Sequence, residues 1–90
     1  MRIWKFPLEI VFEQEVELPK GAVILTAQAR SDNTLSLWAI CDQSAIPSPR
    51  TIMLVTTGDT PPEGPALYIS TVQLQRTVYH VFQIMDPILE

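Results

Sequence analysis

The sequence contains few of the residues from which catalytic and metal sites are built. Among 90 residues it has one cysteine, Cys41, and one histidine, His80. A single cysteine excludes an intrachain disulfide and a cysteine metal cluster, and is typical of a protein that folds in a reducing compartment. A structural zinc site needs several such ligands, and a general base needs a positioned reaction partner. We therefore predict no metal, no cofactor, no catalytic residue and no enzymatic activity.

Basic residues are also scarce. Six Lys and Arg stand against ten Asp and Glu, giving a net charge of −4 and a pI near 4.8. This charge balance argues against a surface that binds the phosphate backbone of nucleic acid, so nucleic acid is not an expected partner. No stretch approaches the apolar length of a membrane-spanning helix, and the N-terminal residues lack a signal-peptide pattern. We expect a cytoplasmic protein with no membrane contact.

What the sequence does contain is alternation of apolar and polar side chains, the pattern of half-buried strands. The predicted strands cover residues 4–12, 13–18, 22–30, 34–42, 51–57, 67–73 and 77–84. With 47% hydrophobic residues the chain suits one all-β domain over residues 1–90. We predict a small antiparallel β-sandwich or partly open barrel. Apolar and polar side chains alternate along the strands in the same way in both architectures. Residues 85–90 are predicted to form a short cap or a frayed tail.

The alternation also predicts which side chains face the core. On the first strand the residues expected inside are Trp4, Phe6, Leu8, Ile10 and Phe12. On the third strand they are Val23, Leu25, Ala27 and Ala29, and on the fourth they are Leu35, Leu37, Ala39 and Cys41. Cys41 is thus expected to be a small buried hydrophobe rather than a nucleophile.

Proline and aromatic positions refine the strand predictions. Pro7 cannot donate to a ladder, which predicts that the first strand lies at a sheet edge or breaks at Pro7. Residues 43–50 contain Pro47 and Pro49 and are predicted to be a loop, as are the Gly- and Pro-rich residues 58–65. Residues 77–84 are largely apolar on both faces, which is typical of a strand that is buried on both sides or lies at the centre of a sheet.

Five segments carry a resemblance to a known family. They are IWKFPL (residues 3–8), VELPKGA (16–22), LWAICD (37–42), VTTGDTPPE (55–63) and TVYHVFQI (77–84). In this order they resemble a family of small bacterial and phage proteins known only as a domain of unknown function. The resemblance covers nearly the whole chain and implies one compact domain in a phage-accessory setting. That family often has a histidine after the Thr-Gly of the long loop, where this chain has Asp59.

His80 admits two interpretations. It is either a general base or ligand at a pocket, or a neutral imidazole buried with a backbone partner or at a subunit contact. Because no second histidine and no further cysteine supports a metal site, we predict the structural role.

The loop after the fifth strand is the candidate ligand site. Its residues are Thr56, Thr57, Gly58, Asp59 and Thr60. Such a loop can cradle a phosphate through backbone N–H groups, but it lacks the Gly-Lys-Ser/Thr of a P-loop, and ordinary turn chemistry explains the same residues. Arg50, Arg76 and His80 are the partners expected there if a ligand binds.

These observations favour a non-catalytic binding protein. We expect a phage- or prophage-encoded accessory protein that inhibits a host factor, such as a host defence system, through protein–protein contact in the host cytoplasm. One alternative is a protein that sequesters a nucleotide-like molecule between subunits, and another is a phage structural or assembly protein. A small core and open sheet edges also predict a homodimer.

Overall fold

The computed structural model describes residues 1–85, which form seven strands. The strands are β1 (Arg2–Leu8), β2 (Glu13–Pro19), β3 (Val23–Ala29), β4 (Leu35–Cys41), β5 (Pro47–Thr56), β6 (Ala66–Leu74) and β7 (Thr77–Ile84). The prediction of a cap or frayed tail falls mostly on residues 86–90, outside the described part of the chain. Over residues 1–85 there is no helix, and so none that could cross a membrane.

The strands form two antiparallel sheets, which confirms the all-β prediction and selects an open, sandwich-like arrangement. The three-stranded sheet has the order β1-β4-β3, and the four-stranded sheet has the order β2-β5-β7-β6. β7 lies between β5 and β6, as its two apolar faces predict. β1, which contains Pro7, lies at an edge, also as predicted.

The core lies between the two sheets. Its main cluster of buried residues is Leu8, Ala27, Leu35, Leu37, Ile52, Leu54, Val72, Leu74 and Val81. A second cluster contains Leu18, Ala22, Ala39 and Cys41. Phe6, Val16 and Ile24 pack against both clusters and join them. Cys41 is buried, as predicted.

A β-bulge in β3 corrects the predicted facing of that strand. The register shifts between Ile24 and Thr26, which leaves Leu25 as an extra residue. Before the bulge the alternation is therefore inverted, and Ile24 packs on the core while Val23 and Leu25 are 56% and 45% exposed. The prediction that Val23 and Leu25 face inward is wrong because an inserted residue moves every preceding side chain to the other face.

Two other predicted boundaries are also corrected. β1 ends at Leu8, so Ile10 and Phe12 belong to the connection to β2 and are exposed rather than buried. Trp4, which was also predicted to face the core, is exposed as well. β5 begins at Pro47, inside the predicted loop. Pro47 and Pro49 are accommodated because β7 pairs with β5 only from Thr51 onward. The first part of β5 therefore has a neighbour only in β2, and a missing N–H is tolerated there as at an edge.

The edges of the two sheets meet at one seam, between β3 and β6. β6 has its own register shift between Tyr68 and Ser70. The Ser70 hydroxyl accepts a hydrogen bond from the Ala27 N–H at 2.8 Å and lies 2.9 Å from the Thr26 hydroxyl. A side chain thus satisfies a main-chain donor that the bulged edge would otherwise leave unpaired.

Candidate functional site

His80 lies in a chain of hydroxyl contacts on the outer face of the four-stranded sheet. Its Nε2 is 2.8 Å from the Thr57 hydroxyl, and its Nδ1 is 3.0 Å from the Thr71 hydroxyl. The Tyr68 hydroxyl extends the chain, at 2.7 Å from Thr71. We call Thr57, His80, Thr71 and Tyr68 the hydroxyl cluster.

The imidazole is therefore held differently from the prediction. It is half-buried rather than enclosed, and its partners are threonine hydroxyls rather than backbone groups. Because a hydroxyl can donate or accept, the cluster satisfies both ring nitrogens in the neutral and in the charged form. This arrangement fixes the ring orientation and links the loop after β5 to the centre of the sheet.

The predicted ligand loop begins as a tight turn. The Asp59 N–H donates to the Thr56 carbonyl at 3.1 Å, and the Thr56 hydroxyl donates to the Asp59 carboxylate. Gly58 has φ of +98°, a conformation that glycine adopts without strain. Thr57 bonds His80, while Thr60 is exposed. Two of the loop's three hydroxyls are thus engaged within the protein.

The structure separates the two arginines assigned to this loop. Arg76 lines a cavity of about 370 Å³ with Thr56 and Thr57, so it lies at the loop. Arg50 stands near the start of β5, whereas Thr56 ends that strand. Because an extended chain rises about 3.3 Å per residue, Arg50 lies far from the loop and belongs to a different site.

That second site is a groove between the starts of β3 and β6. It has a volume of about 520 Å³, within the range of ligand-binding clefts. The residues that line it are Ala22, Val23, Ile24, Leu25, Arg50, Leu67, Tyr68, Ile69, Gln83 and Met85. We call it the β3–β6 groove. Both walls are predominantly apolar, and no acidic side chain lies among the lining residues in the described part of the chain.

Arg50 is held in the groove by two neutral oxygens. Its Nη2 donates to the Ala22 carbonyl at 2.8 Å, and its Nη1 donates to the Gln83 side-chain oxygen at 3.4 Å. The guanidinium is half-buried and carries a positive charge. Within residues 1–85, the groove therefore combines an apolar lining with the Arg50 cation.

The apolar walls of this groove were missed by the sequence prediction. Val23 and Leu25 were expected in the core, and Leu67 and Tyr68 were simply part of a predicted strand. All four are among the exposed large apolar residues of the described chain. All four line the groove, and the bulge that exposes Val23 and Leu25 leaves no distinctive residue type in the sequence.

The part of the chain that the structure describes shows no group of three metal-ligating side chains. Cys41 is on the inner face of the three-stranded sheet, whereas His80 is on the outer face of the other sheet. The two therefore do not form a nucleophile–base pair.

No match to this chain is found among curated proteins or among solved structures. The family model described as a domain of unknown function (DUF7352) matches residues 1–88. Because that match spans nearly the whole sequence, the chain belongs to the DUF7352 family.

Proposed function

We propose that this domain is a non-catalytic binding protein that contacts a protein partner through the β3–β6 groove. The observation that carries the proposal is the gathering of exposed Val23, Leu25, Leu67 and Tyr68 around one concave surface. Contiguous exposed apolar surface on a small domain commonly marks an interaction site. An aromatic anchor and an arginine in the same patch match the residue types that dominate binding energy at interfaces.

The proposed setting is a phage or prophage accessory protein that inhibits a host factor, such as a defence system, in the host cytoplasm. The resemblance to small bacterial and phage proteins supports this setting. The partner is then a soluble host protein, and inhibition follows from occupying a surface that the host protein needs.

The test is capture of a partner from a lysate of the bacterial host, with identification by mass spectrometry and confirmation with the purified partner. Leu25→Ser and Leu67→Ser should each weaken that binding. Phe12→Ser is the matched control, because Phe12 is as exposed as the groove residues but lies near Leu54 and Tyr79, away from Arg50. Equal loss in the control variant, or binding unaffected by both groove variants, would contradict the proposal.

A second candidate is the sequestration of a nucleotide-like molecule between subunits at the loop after β5. The observation in its favour is that Arg76, Thr57 and Thr77 line the same cavity. The Asp59 carboxylate in the same loop opposes it, because it would repel a phosphate. Native mass spectrometry of the purified protein tests this function: a co-purifying nucleotide in a dimer, lost in Arg76→Gln, would favour it over the groove.

A further inference from the structure

The β3–β6 groove is bordered by two strands that each lie at the edge of a sheet. Residues 22–25 form one wall and residues 67–69 form the other. Thr26 and Ala27 then meet Ser70, so both strands run from the groove toward the seam. Four residues of extended chain span about 10 Å, and sheet edges are where extended peptides add as a further strand. The shape of the groove therefore suits a short extended segment.

The exposed side chains extend the contact beyond the groove itself. Val23, Leu67 and Tyr68 are each more than half exposed and stand along its rim. A small ligand inside the groove would leave much of this apolar rim in water. A protein segment that continues past the rim would cover it, which favours a macromolecular occupant.

The positive charge of Arg50 in the groove indicates that the bound segment carries a carboxylate. Arg50 carries a positive charge, and within residues 1–85 its guanidinium donates to a carbonyl and an amide oxygen, neither of which is charged. Among residues 1–85 no carboxylate lines the groove. A guanidinium binds a carboxylate through two parallel N–H···O bonds, and such charge-assisted pairs are the strong ones.

We propose that the β3–β6 groove binds an extended segment of a partner protein in which apolar side chains flank one carboxylate, and that Arg50 pairs with that carboxylate. This inference rests on the proposed function, because it uses the same groove. It adds the chemistry that a partner must present there: an acidic side chain within an apolar strand-forming segment.

The experiment titrates the nitrogen-15-labelled full chain with two matched pools of acetylated, amidated tetrapeptides, followed by NMR. Both pools carry Val, Leu or Phe at the apolar positions, and they differ only in having Glu or Gln at the remaining one. The Glu pool should shift amide signals of Val23, Leu25, Leu67 and Tyr68. The Gln pool should bind about tenfold more weakly, a difference of about 1.4 kcal/mol.

Three arginine variants test the assigned pairing and provide its controls. Arg50→Gln should abolish the advantage of the Glu pool, whereas Arg76→Gln at the loop after β5 should leave it unchanged. Arg50→Lys should give an intermediate affinity, because an ammonium keeps the charge but lacks the planar fork. Urea unfolding shows whether each variant folds, and if Arg50→Gln does not, the Glu and Gln pools on the unsubstituted chain decide.

Several outcomes would overturn the inference. They are equal binding of the two pools, failure of both, or shifts that fall outside the groove. Saturation of the groove by octanoate with no binding of either pool would show a small anionic amphiphile as the occupant instead. Groove signals that move with protein concentration alone would show a second copy of this chain there. If both pools fail while groove-dependent capture of a host protein persists, the proposed function stands and this inference falls.

Discussion

The two ends of β5 present opposite kinds of surface. At its C-terminal end lie the threonines and Asp59 of the following loop together with His80 of β7, which the sequence marked as a candidate site, and most of these groups bond one another. At its N-terminal end, Arg50 lies in an apolar groove that is also lined by Val23 and Leu25, two residues predicted to be in the core. The difference teaches that polar residue types identify a binding site poorly when they satisfy their own hydrogen bonds. The proposed function rests instead on exposed apolar surface beside Arg50, whose partners within residues 1–85 are neutral.

Tyr68 is the one residue that the two regions share. Tyr68 lines the β3–β6 groove, its ring packs edge-to-face on Phe82 with the ring centroids 5.9 Å apart, and its hydroxyl belongs to the hydroxyl cluster. The regions can therefore be compared by substitutions on either side of it.

The largest expected difference is between the loss of stability caused by truncating a leucine in the core and that caused by truncating a leucine in the groove. Leu37 is completely buried, and Leu37→Ala should lower the free energy of unfolding by about 3 kcal/mol because it leaves a cavity. Leu67 is 54% exposed, and Leu67→Ala should change stability by about 0.5 kcal/mol or less. Urea unfolding of both variants measures the contrast. A comparable loss in Leu67→Ala would mean that the groove wall is structural.

The seam that closes the groove should show the next largest effect. Ser70→Ala leaves the Ala27 N–H without its acceptor and should cost about 1–3 kcal/mol. The exposed Ser31 provides the control, since Ser31→Ala should be nearly neutral. Faster hydrogen exchange of the Ala27 amide in Ser70→Ala would locate the loss. Unchanged exchange there would contradict the assigned role of the Ser70 hydroxyl.

The hydroxyl cluster should contribute less, because it is partly exposed. Thr57→Val removes the contact to His80 Nε2 and should cost about 0.5–1.5 kcal/mol, whereas Thr57→Ser keeps the hydroxyl and should cost less. His80→Gln should fall in the same range and leave binding at the β3–β6 groove intact. Partner affinity measured beside urea unfolding checks both statements. Loss of partner binding in a well-folded His80→Gln variant would show that the binding site lies at the loop after β5 instead of at the groove.

The smallest effect concerns two aspartates with matching surroundings. The Thr34 hydroxyl beside Asp32, at 2.6 Å, and the Ser44 hydroxyl beside Asp42, at 2.7 Å, hold the pKa of each carboxyl below its usual value of 3.8. A lowered folded-state pKa means that the unfolded chain binds more protons as the pH falls. The stabilisation is therefore present above about pH 3.8 and is lost as the pH drops through the folded-state pKa.

Urea midpoints from neutral pH to below pH 3.8 measure this dependence. Thr34→Val and Ser44→Ala should each make the fall of the urea midpoint at acidic pH slightly less steep, and by similar amounts. Each variant removes one side-chain donor to its aspartate. A steeper fall of the urea midpoint at acidic pH in either variant would show that the hydroxyl does not favour the ionised carboxylate.

Much of the fold follows from local pattern. The alternation in residues 35–41 and 77–84 predicted β4 and β7 with their faces, and the β3–β4 hairpin lies where Asn33, with φ of +66°, allows the turn. Pro7 also predicted an edge strand correctly. In these segments each residue's neighbours in the chain already decide its environment, so the sequence is sufficient.

The candidate site was predicted only in part. Thr57 and His80 do meet, and Arg76 does lie at the loop, because all three are near the same end of paired strands. Arg50 was placed there wrongly, because it lies near the start of β5 whereas the loop follows the end of that strand. The predicted strand over residues 51–57 already implies this separation, since an extended chain rises about 3.3 Å per residue.

The sequence by itself determined the all-β class, the number of strands, the central position of β7 and the burial of Cys41, because a period of two fixes which side chains can share a core. The tertiary structure alone decided the bulges at Leu25 and Ile69, the seam at Ser70 and the groove that holds Arg50. The physical reason is that a bulge forms where the two sheets must bend to meet. One added residue there turns side chains that the sequence pattern assigns to the core into an exposed surface.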